Sequence, residues 1–499
     1  MYVLTNKQMR AADEYTIKGL GIPSLTLMER AGIALADEAE EMSPFGKIVC
    51  VCGGGNNGGD GFVCARILRE RGRTVEVVFY AEKQSSDCKV NMEKWLAQGG
   101  LITPRLLGEY NLIVDCLYGT GFHGALSEKD VRTVEEMNAR RGRIKILSAD
   151  IPSGVCGENG LADGVAVCAD RTLCIGEIKA GVLLGDGRDF AGEIKRADIG
   201  ITLPETEQTY ARLMTKEECA AMLPKRKKNS HKGTYGRAAI VAGSEQYTGA
   251  AYLSAAACLR SGAGYTALFV PKGILPWYVL KLPEALLKPL NGGGMYEFNA
   301  KTMEELLPYD SVAYGMGMGV SKAVAEGAAW LMEHYSGKLI LDADGLNSLA
   351  VYKKDELQKL FKNKKCDVLL TPHVKEFSRL TGMEIEEILA GGLTVAKEFA
   401  KSHGVSVLLK GAVSTVTDGD KIAVISTGNS GQAKGGSGDV LSGVIAGLCA
   451  MGASAYDGGA LGGYIAGRAA ELAAVEYGEY SLLATDVIAY LGGTFLEIQ

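Results

Sequence analysis

The chain has 499 residues, 47% hydrophobic and 22% charged, with a net charge of −6 from 53 basic and 59 acidic side chains. At roughly 150 residues per domain this length predicts two to four domains, and domains of roughly 200–300 residues bury about 70–75% of their unfolded surface, so core size sets no limit. The acidic balance argues against a general nucleic-acid surface, and 66 glycines, gathered in loops after apolar runs, favour an α/β enzyme with backbone-built ligand sites over a disordered chain.

The first residues are charged early and lack an apolar signal-peptide core, which predicts a cytoplasmic protein. Thr5-Asn6-Lys7-Gln8 is a capping-box pattern. The chain is therefore expected to open with two helices, the second running from near Ser24 to about Met42. Strand-like runs follow at residues 47–52, 74–80, 112–115, 145–149, 171–175 and 193–201. A polar stretch, residues 203–232, contains Pro204, Pro224, a short helix over 216–222 and a basic run from Lys225 to Lys232 that reads as a solvated linker. We place the break near Arg212, giving domains 1–212 and 213–499. Further strand-like runs lie at 237–242, 264–270, 311–315, 338–342, 366–370, 405–410 and 421–426. Residues 440–456 are uncharged but too short for a membrane span, and read as a buried small-residue helix. The alternation of strand, glycine loop and amphipathic helix predicts an α/β fold of two doubly wound domains. The 12 cysteines include no C-x-x-C pair. Cys50 and Cys52 alternate along one strand and read as core residues facing one side in a reducing compartment.

Residues 47–71 place a glycine loop between a strand and a helix. Gly53, Gly55 and Gly58 match G-x-G-x-x-G, and Glu82 ends the next strand near the place of a ribose-binding acid, so a dinucleotide-binding reading stands here. Against it, Asn56, Asn57 and Asp60 make the loop longer and more polar than a pyrophosphate turn needs. Asp115 and Asp150 end later strands and precede Gly119-Thr120-Gly121 and Ile151-Pro152-Ser153-Gly154. Ligands of open α/β sheets bind at such strand ends. Asn57, Asp115 and Ser153 offer oxygens suited to a hard monovalent cation, or serve only as Asx turns and caps.

Residues 23–32 (PSLTLMERAG), GGGNNGGDG, DCLYGTG and DIPSG resemble the epimerase domain of the NAD(P)H-hydrate repair enzymes, over roughly residues 1–212. The resemblance implies a Rossmann-like three-layer αβα domain that interconverts the two epimers of NADH or NADPH hydrated on the nicotinamide ring. It implies a substrate site lined by Asn56, Asn57, Gly58, Gly59 and Asp60, by Gly119, Thr120, Gly121, Phe122, His123, Gly124 and Ala125, and by Asp150. It also implies a potassium ion on Asn57, Asp115 and Ser153. Asp115 is our candidate for proton transfer; beside a cation its pKa is expected to fall.

In the second half, TGNSGQAKGGSGD (residues 427–439) precedes VLSGVIAGL. Glycines let backbone N–H groups converge on an anion, and a following helix adds its positive end. Asp439 is either an N-cap or a base that takes the proton of an attacking hydroxyl. No G-x-x-x-x-G-K-[ST] occurs, so this is not a P-loop enzyme, and H-R-D and D-F-G strings are absent. The loop resembles the anion hole of ribokinase-like sugar and vitamin kinases. HKGTYG, YTGAAYLSAAACLRSGAG, GMGMG, LDADGLN, LTPHVKEFSRL and KGAVSTV narrow the resemblance to the nucleotide-dependent dehydratase domain of the same repair family, from about residue 213 to the end.

That resemblance implies a ribokinase-like αβα domain that dehydrates the hydrate with ADP, or alternatively ATP, and magnesium. Ala250, Gly317, His373 and Asp439 would contact the hydrated cofactor; Lys410, Gly411, Ala412, Val413, Ser414 and Gly438 would contact the nucleotide. Asp439 would be the catalytic base. Gln432 and Lys434 stand where this family often has Met and Thr; Lys434 either touches the phosphates or points to solvent. NAD(P)H hydrates and ADP or ATP are the implied ligands, with self-association into a homo-oligomer and no nucleic-acid or membrane partner. A vitamin or sugar kinase that retains its phosphate, and a non-catalytic scaffold, are the competing readings.

Overall fold

The computed structural model describes residues 1–205 and 209–499, so part of the polar stretch, residues 206–208, lies outside the described residues. The chain divides into two compact units, Met1–Tyr210 and Ala211–Gln499. Among the described residues, no helix is long and apolar enough to cross a membrane.

In the N-terminal unit a short strand, Tyr2–Leu4, precedes the first helix and pairs in parallel with Ile178–Lys179. This corrects the expectation of a helical start; three residues are too few to show a strand period. The helix Asn6–Glu14 is opened by the expected capping box, with Gln8 N donating to Thr5 Oγ1 at 3.2 Å and Thr5 N donating to Gln8 Oε1 at 3.0 Å. Seven parallel strands follow in the order Ile102–Thr103, Thr74–Phe79, Lys47–Cys52, Leu112–Cys116, Lys145–Ala149, Arg171–Ile175, Glu193–Ala197. Strand alternation sends Ile48, Cys50 and Cys52 into a core shared with the helices Ser24–Met42, Asn56–Glu70 and Ser86–Ala97. Val49 and Val51 face the opposite core with Val134 and Met137 of the helix Glu128–Asn138. Both faces are thus covered, which is why the strands read as continuous apolar runs.

The C-terminal unit is built on the same plan. Its strands run Leu286–Leu290, Tyr265–Pro271, Arg237–Val241, Ser311–Tyr314, Lys338–Leu341, Asp367–Leu370, Ser406–Leu409, Ser414–Thr417, Ile422–Ile425, Ala211–Leu213. The pairs are parallel up to Ser406–Leu409, and Ser414–Thr417 is antiparallel to both its neighbours. Ala238 and Ile240 pack with the helices Thr248–Leu259, Ser437–Ala450 and Ala455–Ser481; Ala239 and Val241 pack with Lys322–His334 and Val374–Thr381 on the other side. The expected helix over 440–456 is real but broken: it ends at Ala450, and Ser454 caps a new one from Ala455. The basic run Lys225–Lys232 is exposed throughout.

Candidate functional site

In each unit the strand order reverses at one point. In the N-terminal unit, Lys47–Cys52 and Leu112–Cys116 lie side by side while the chain between them builds the sheet in the other direction. Crevices form at such switch points, outside the carboxyl ends of the strands. A cleft of about 560 Å³ opens here, bordered by Asn56, Asn57, Asp60, Gly119, Thr120, Gly121, Phe122 and Asp150. Of the remaining expected residues, His123 meets Arg10 at 2.9 Å near the rim, while Gly58, Gly59, Gly124 and Ala125 do not border the cleft.

The first glycine motif is mostly helix and not loop, contrary to the reading above. The helix starts at Asn56 with Gly55 as its N-cap. Glycine is a poor helix former, so the sequence hides this; close packing explains it. A Cβ on Gly58 would lie 1.7 Å from the Gly53 carbonyl oxygen, and one on Gly61 2.6 Å from Cys52 Sγ. Asn56 and Asn57 are therefore first-turn residues, with their backbone N–H groups and the positive end of the dipole at the cleft, and Asp60 follows in the second turn.

Asp115 does not border the cleft. It is fully buried, and its carboxylate accepts from Ser148 Oγ (2.9 Å), Ser153 N (2.9 Å) and Ser153 Oγ (2.6 Å). Its pKa is raised, not lowered as expected: burial outweighs the hydrogen bonds from Ser153, Ser148 and Leu117. Asn57 Nδ2 donates to the Tyr118 carbonyl at 2.8 Å, and Tyr118 N donates to Ser153 Oγ at 3.0 Å. Asn57 Oδ1 is buried without a partner. An orphaned amide oxygen beside the Asp115–Ser153 network is what a cation site needs, so these three residues fit a potassium ion.

Sequence reasoning missed four charged residues that border the cleft, Arg10, Asp13, Asp87 and Lys179. Lys179 is 1% exposed and ion-paired with Asp150. Asp150 adopts φ 69°, an uncommon conformation for a non-glycine residue and a mark of local strain. A lone lysine between an apolar strand and a glycine was the available signal.

In the C-terminal unit the switch lies between Arg237–Val241 and Ser311–Tyr314. A cleft of about 450 Å³ beside it is lined by Tyr247, Thr248, Ala250, Gly317, Gly435, Gly436 and Asp439, among others. The helix Ser437–Ala450 begins at Gly436, φ 100°, with no side-chain cap. Asp439 is thus not an N-cap; it sits in the first turn and faces the cleft. Burial first, then nearby Asp342, pushes its carboxyl up to about 7, against the pull of Lys410.

Asp342 ends the strand Lys338–Leu341 and accepts from Lys410 Nζ (2.8 Å) and Ser442 Oγ (2.6 Å). Burial works against the charge of Lys410, but Asp342 and Glu376 outweigh it and raise its pKa. Asp342 was overlooked in the sequence although it ends a strand as Asp115 and Asp150 do. Gly438 approaches this pair: its Cβ would lie 3.6 Å from Lys410 Nζ. Gly411, Ala412 and Val413 form the bend between Ser406–Leu409 and Ser414–Thr417, with Gly411 N donating to Ser414 Oγ at 3.4 Å.

His373 does not line the 450 Å³ cleft. It caps the helix Val374–Thr381, its Nδ1 accepting from Lys375 N (3.1 Å) and Glu376 N (3.3 Å), and burial lowers its pKa. Lys434 takes neither expected role. Its Nζ donates to the carbonyls of Tyr480 (2.6 Å) and Leu482 (2.9 Å), because the helix running to Ser481 leaves acceptors free at its end.

A family model described as NAD(P)H-hydrate dehydratase matches residues 238–492, and one described as YjeF-related protein N-terminus matches residues 24–181. The bifunctional NAD(P)H-hydrate repair enzyme of Moorella thermoacetica is 32% identical over 98% of this chain and 96% of its own length. That of Escherichia coli K12 is 31% identical over 95% and 90%. The crystal structure of ADP/ATP-dependent NAD(P)H-hydrate dehydratase from Bacillus subtilis, co-crystallised with ATP and Mg2+, aligns with a TM-score of 0.50 at 31% identity, covering 58% of this chain and 99% of that one. With both halves matched in one continuous sequence, the chain belongs to the bifunctional NAD(P)H-hydrate repair enzyme family.

Proposed function

We propose that the chain repairs hydrated NADH and NADPH at two sites. The N-terminal unit, Met1–Tyr210, interconverts the R and S hydrates. The C-terminal unit, Ala211–Gln499, dehydrates the S form with conversion of ADP to AMP and phosphate; ATP is the alternative co-substrate. The observation that carries this reading is Asp439, uncapping and cleft-facing at a glycine-built helix start, beside the Lys410–Asp342 pair.

Hydroxide is a poor leaving group, so the ring hydroxyl is first phosphorylated. Asp439 takes the hydroxyl proton as the oxygen attacks the terminal phosphorus. Backbone N–H groups of Gly435–Gly438 receive the phosphate charge, and losing one such donor in a dry site costs about 3–4 kcal/mol. Phosphate then departs with the C–O electron pair, and the neighbouring ring carbon releases a proton to restore the double bond. Ala250 and Gly317 border the hydrated ring; Lys410 and the bend Gly411–Ser414 meet the nucleotide; His373 acts from the adjoining helix start. Asp342 and Asp344, electrostatic neighbours of Asp439, suit a magnesium ion that screens the phosphates. In the N-terminal unit, Asn57, Asp115 and Ser153 would hold potassium, which ties together the strand-end loops. The ligands are small molecules, the enzyme works in the cytoplasm, and it self-associates.

The test mixes the purified protein with hydrated NADH epimers, magnesium and either ADP or ATP, and follows the absorbance of restored NADH. Recovery with ADP supports the reading. No recovery with either nucleotide overturns it, and a phosphorylated product that accumulates establishes the kinase reading instead.

A further inference from the structure

The N-terminal cleft is charged in an uneven way. Asp13, Asp60, Asp87 and Asp150 border it, with Arg10 and Lys179 as cations. Lys179 is committed: its ammonium pairs with Asp150 and donates to the Ile175 carbonyl. Asp150 is committed in turn, since Ile175 N also donates to its Oδ1 at 3.3 Å. Arg10 is held at the rim by the Thr120 carbonyl (3.2 Å) and His123 (2.9 Å). Asp115 is sealed behind the wall by its serines. Asp87 accepts from Ser86 Oγ at 3.3 Å. Asp13, in the last turn of Asn6–Glu14, and Asp60, in the second turn of Asn56–Glu70, then remain as carboxyls facing the same space.

The two are chemically different. Burial pushes Asp60 well above the usual carboxylate range, with Asp150 and Asp13 adding to the effect and Lys179 opposing it. Burial raises Asp13 only to about 6, because Lys179 draws it back while Asp150 adds a little. Two carboxyls whose surroundings hold them apart in this way suit an acid and a base.

We propose that Asp13 is the catalytic base of this cleft and Asp60 the matching acid, an assignment that rests on the epimerase reading. Water adds to an enamine at the carbon next to nitrogen, so the hydrated ring is a hemiaminal. Asp13 takes the hydroxyl proton, and that O–H pair becomes the second bond of an aldehyde. The ring C–N bond breaks, its pair goes to nitrogen, and nitrogen takes the proton of Asp60. Rotation about the adjacent C–C bond presents the other aldehyde face. Nitrogen adds back, returns its proton to Asp60, and the oxygen recovers its proton from Asp13. Bonds, protons and electrons balance, and no oxidant or co-reactant is needed.

The experiment follows conversion of purified R hydrate of NADPH to the S form by the full-length protein, without nucleotide. In the wild type, kcat/KM falls as pH drops through about 6, where Asp13 is protonated. Asp13→Asn is expected to lower kcat on the order of 100-fold or more with little change in KM, and to remove that limb. Asp13→Glu restores part of the rate with a displaced limb. Thermal unfolding of the variant beside the wild type, followed by circular dichroism, reports whether its N-terminal unit is folded. Exchange in Asp13→Asn that stays near the wild-type rate overturns the proposal alone. Absence of exchange in the wild type overturns the epimerase reading and the proposal with it. If Asp13→Asn does not fold, an unshifted limb in Asp13→Glu overturns the proposal.

Discussion

Asp439 carries two predictions of opposite sign. As a base with its pKa near 7, it makes dehydration fall below about pH 7 as it takes up a proton. Asp439→Asn is expected to lower dehydration by about 10²–10⁴-fold while epimer exchange continues; equal loss of both would separate Asp439 from the chemistry. The same shift costs stability. The folded chain holds this proton up to about 7, the unfolded chain only to 3.8, so unfolding releases a proton between those values and stability falls as pH rises. Thermal unfolding of Asp439→Asn is therefore expected at a higher temperature than wild type above about pH 7, with no gain below about pH 4. Lys410→Met tests the neighbouring pair. It strands the carboxylate of Asp342, whose side chain is 2% exposed, and breaking a buried pair costs about 3–5 kcal/mol; denaturant unfolding measures it. Asp439 was readable from its motif. Its tuning was not, because Asp342 and Lys410 lie 68 residues apart and meet only through the sheet.

Whole strands were legible where both faces are buried. Lys47–Cys52, Lys145–Ala149 and Arg171–Ile175 stand where the apolar runs place them. Short or edge strands such as Tyr2–Leu4, Ile102–Thr103 and Leu286–Leu290 were missed, since pairing and not pattern defines them. The start of the helix Asn56–Glu70 was mistaken for loop because three of its first six residues are glycine, a poor helix former, while contact with Gly53, Met28 and Cys52 selects glycine there. Gly61→Val drives its side chain into Cys52 and Cys116 and is expected to cost about 1–3 kcal/mol as an overpacked core. Epimer exchange should fall through displacement of Asn57 and Asp60, with dehydration of the S hydrate retained. Unchanged exchange would show that the helix start does not shape the site. That Asn57, Asp115 and Ser153 adjoin one hydrogen-bond network was legible; that Asp115 sits behind the cleft, sealed by Ser148, was not, because nothing local marks which side of a strand end faces water.

At the scale of the whole molecule, the polar stretch around residue 210 separates two units that each own a sheet and a two-sided core. One chain then keeps two chemistries in fixed proportion. Given a mixture of R and S hydrates, the wild type is expected to consume both, whereas the Gly61→Val chain should stop once the S form is spent; complete consumption by that variant, beyond the spontaneous rate, would show that the substitution leaves exchange intact. The buried sulfur atoms give the same division a different use. Ten of the twelve cysteines are buried and only Cys156 and Cys168 are partly exposed, all as free thiols. Six of the buried thiols belong to the N-terminal unit (Cys50, Cys52, Cys64, Cys88, Cys116 and Cys174) and four to the C-terminal unit (Cys219, Cys258, Cys366 and Cys449). A brief pulse of alkylating reagent during heating, read by peptide mass, therefore turns the chain into its own recorder of which half comes apart first.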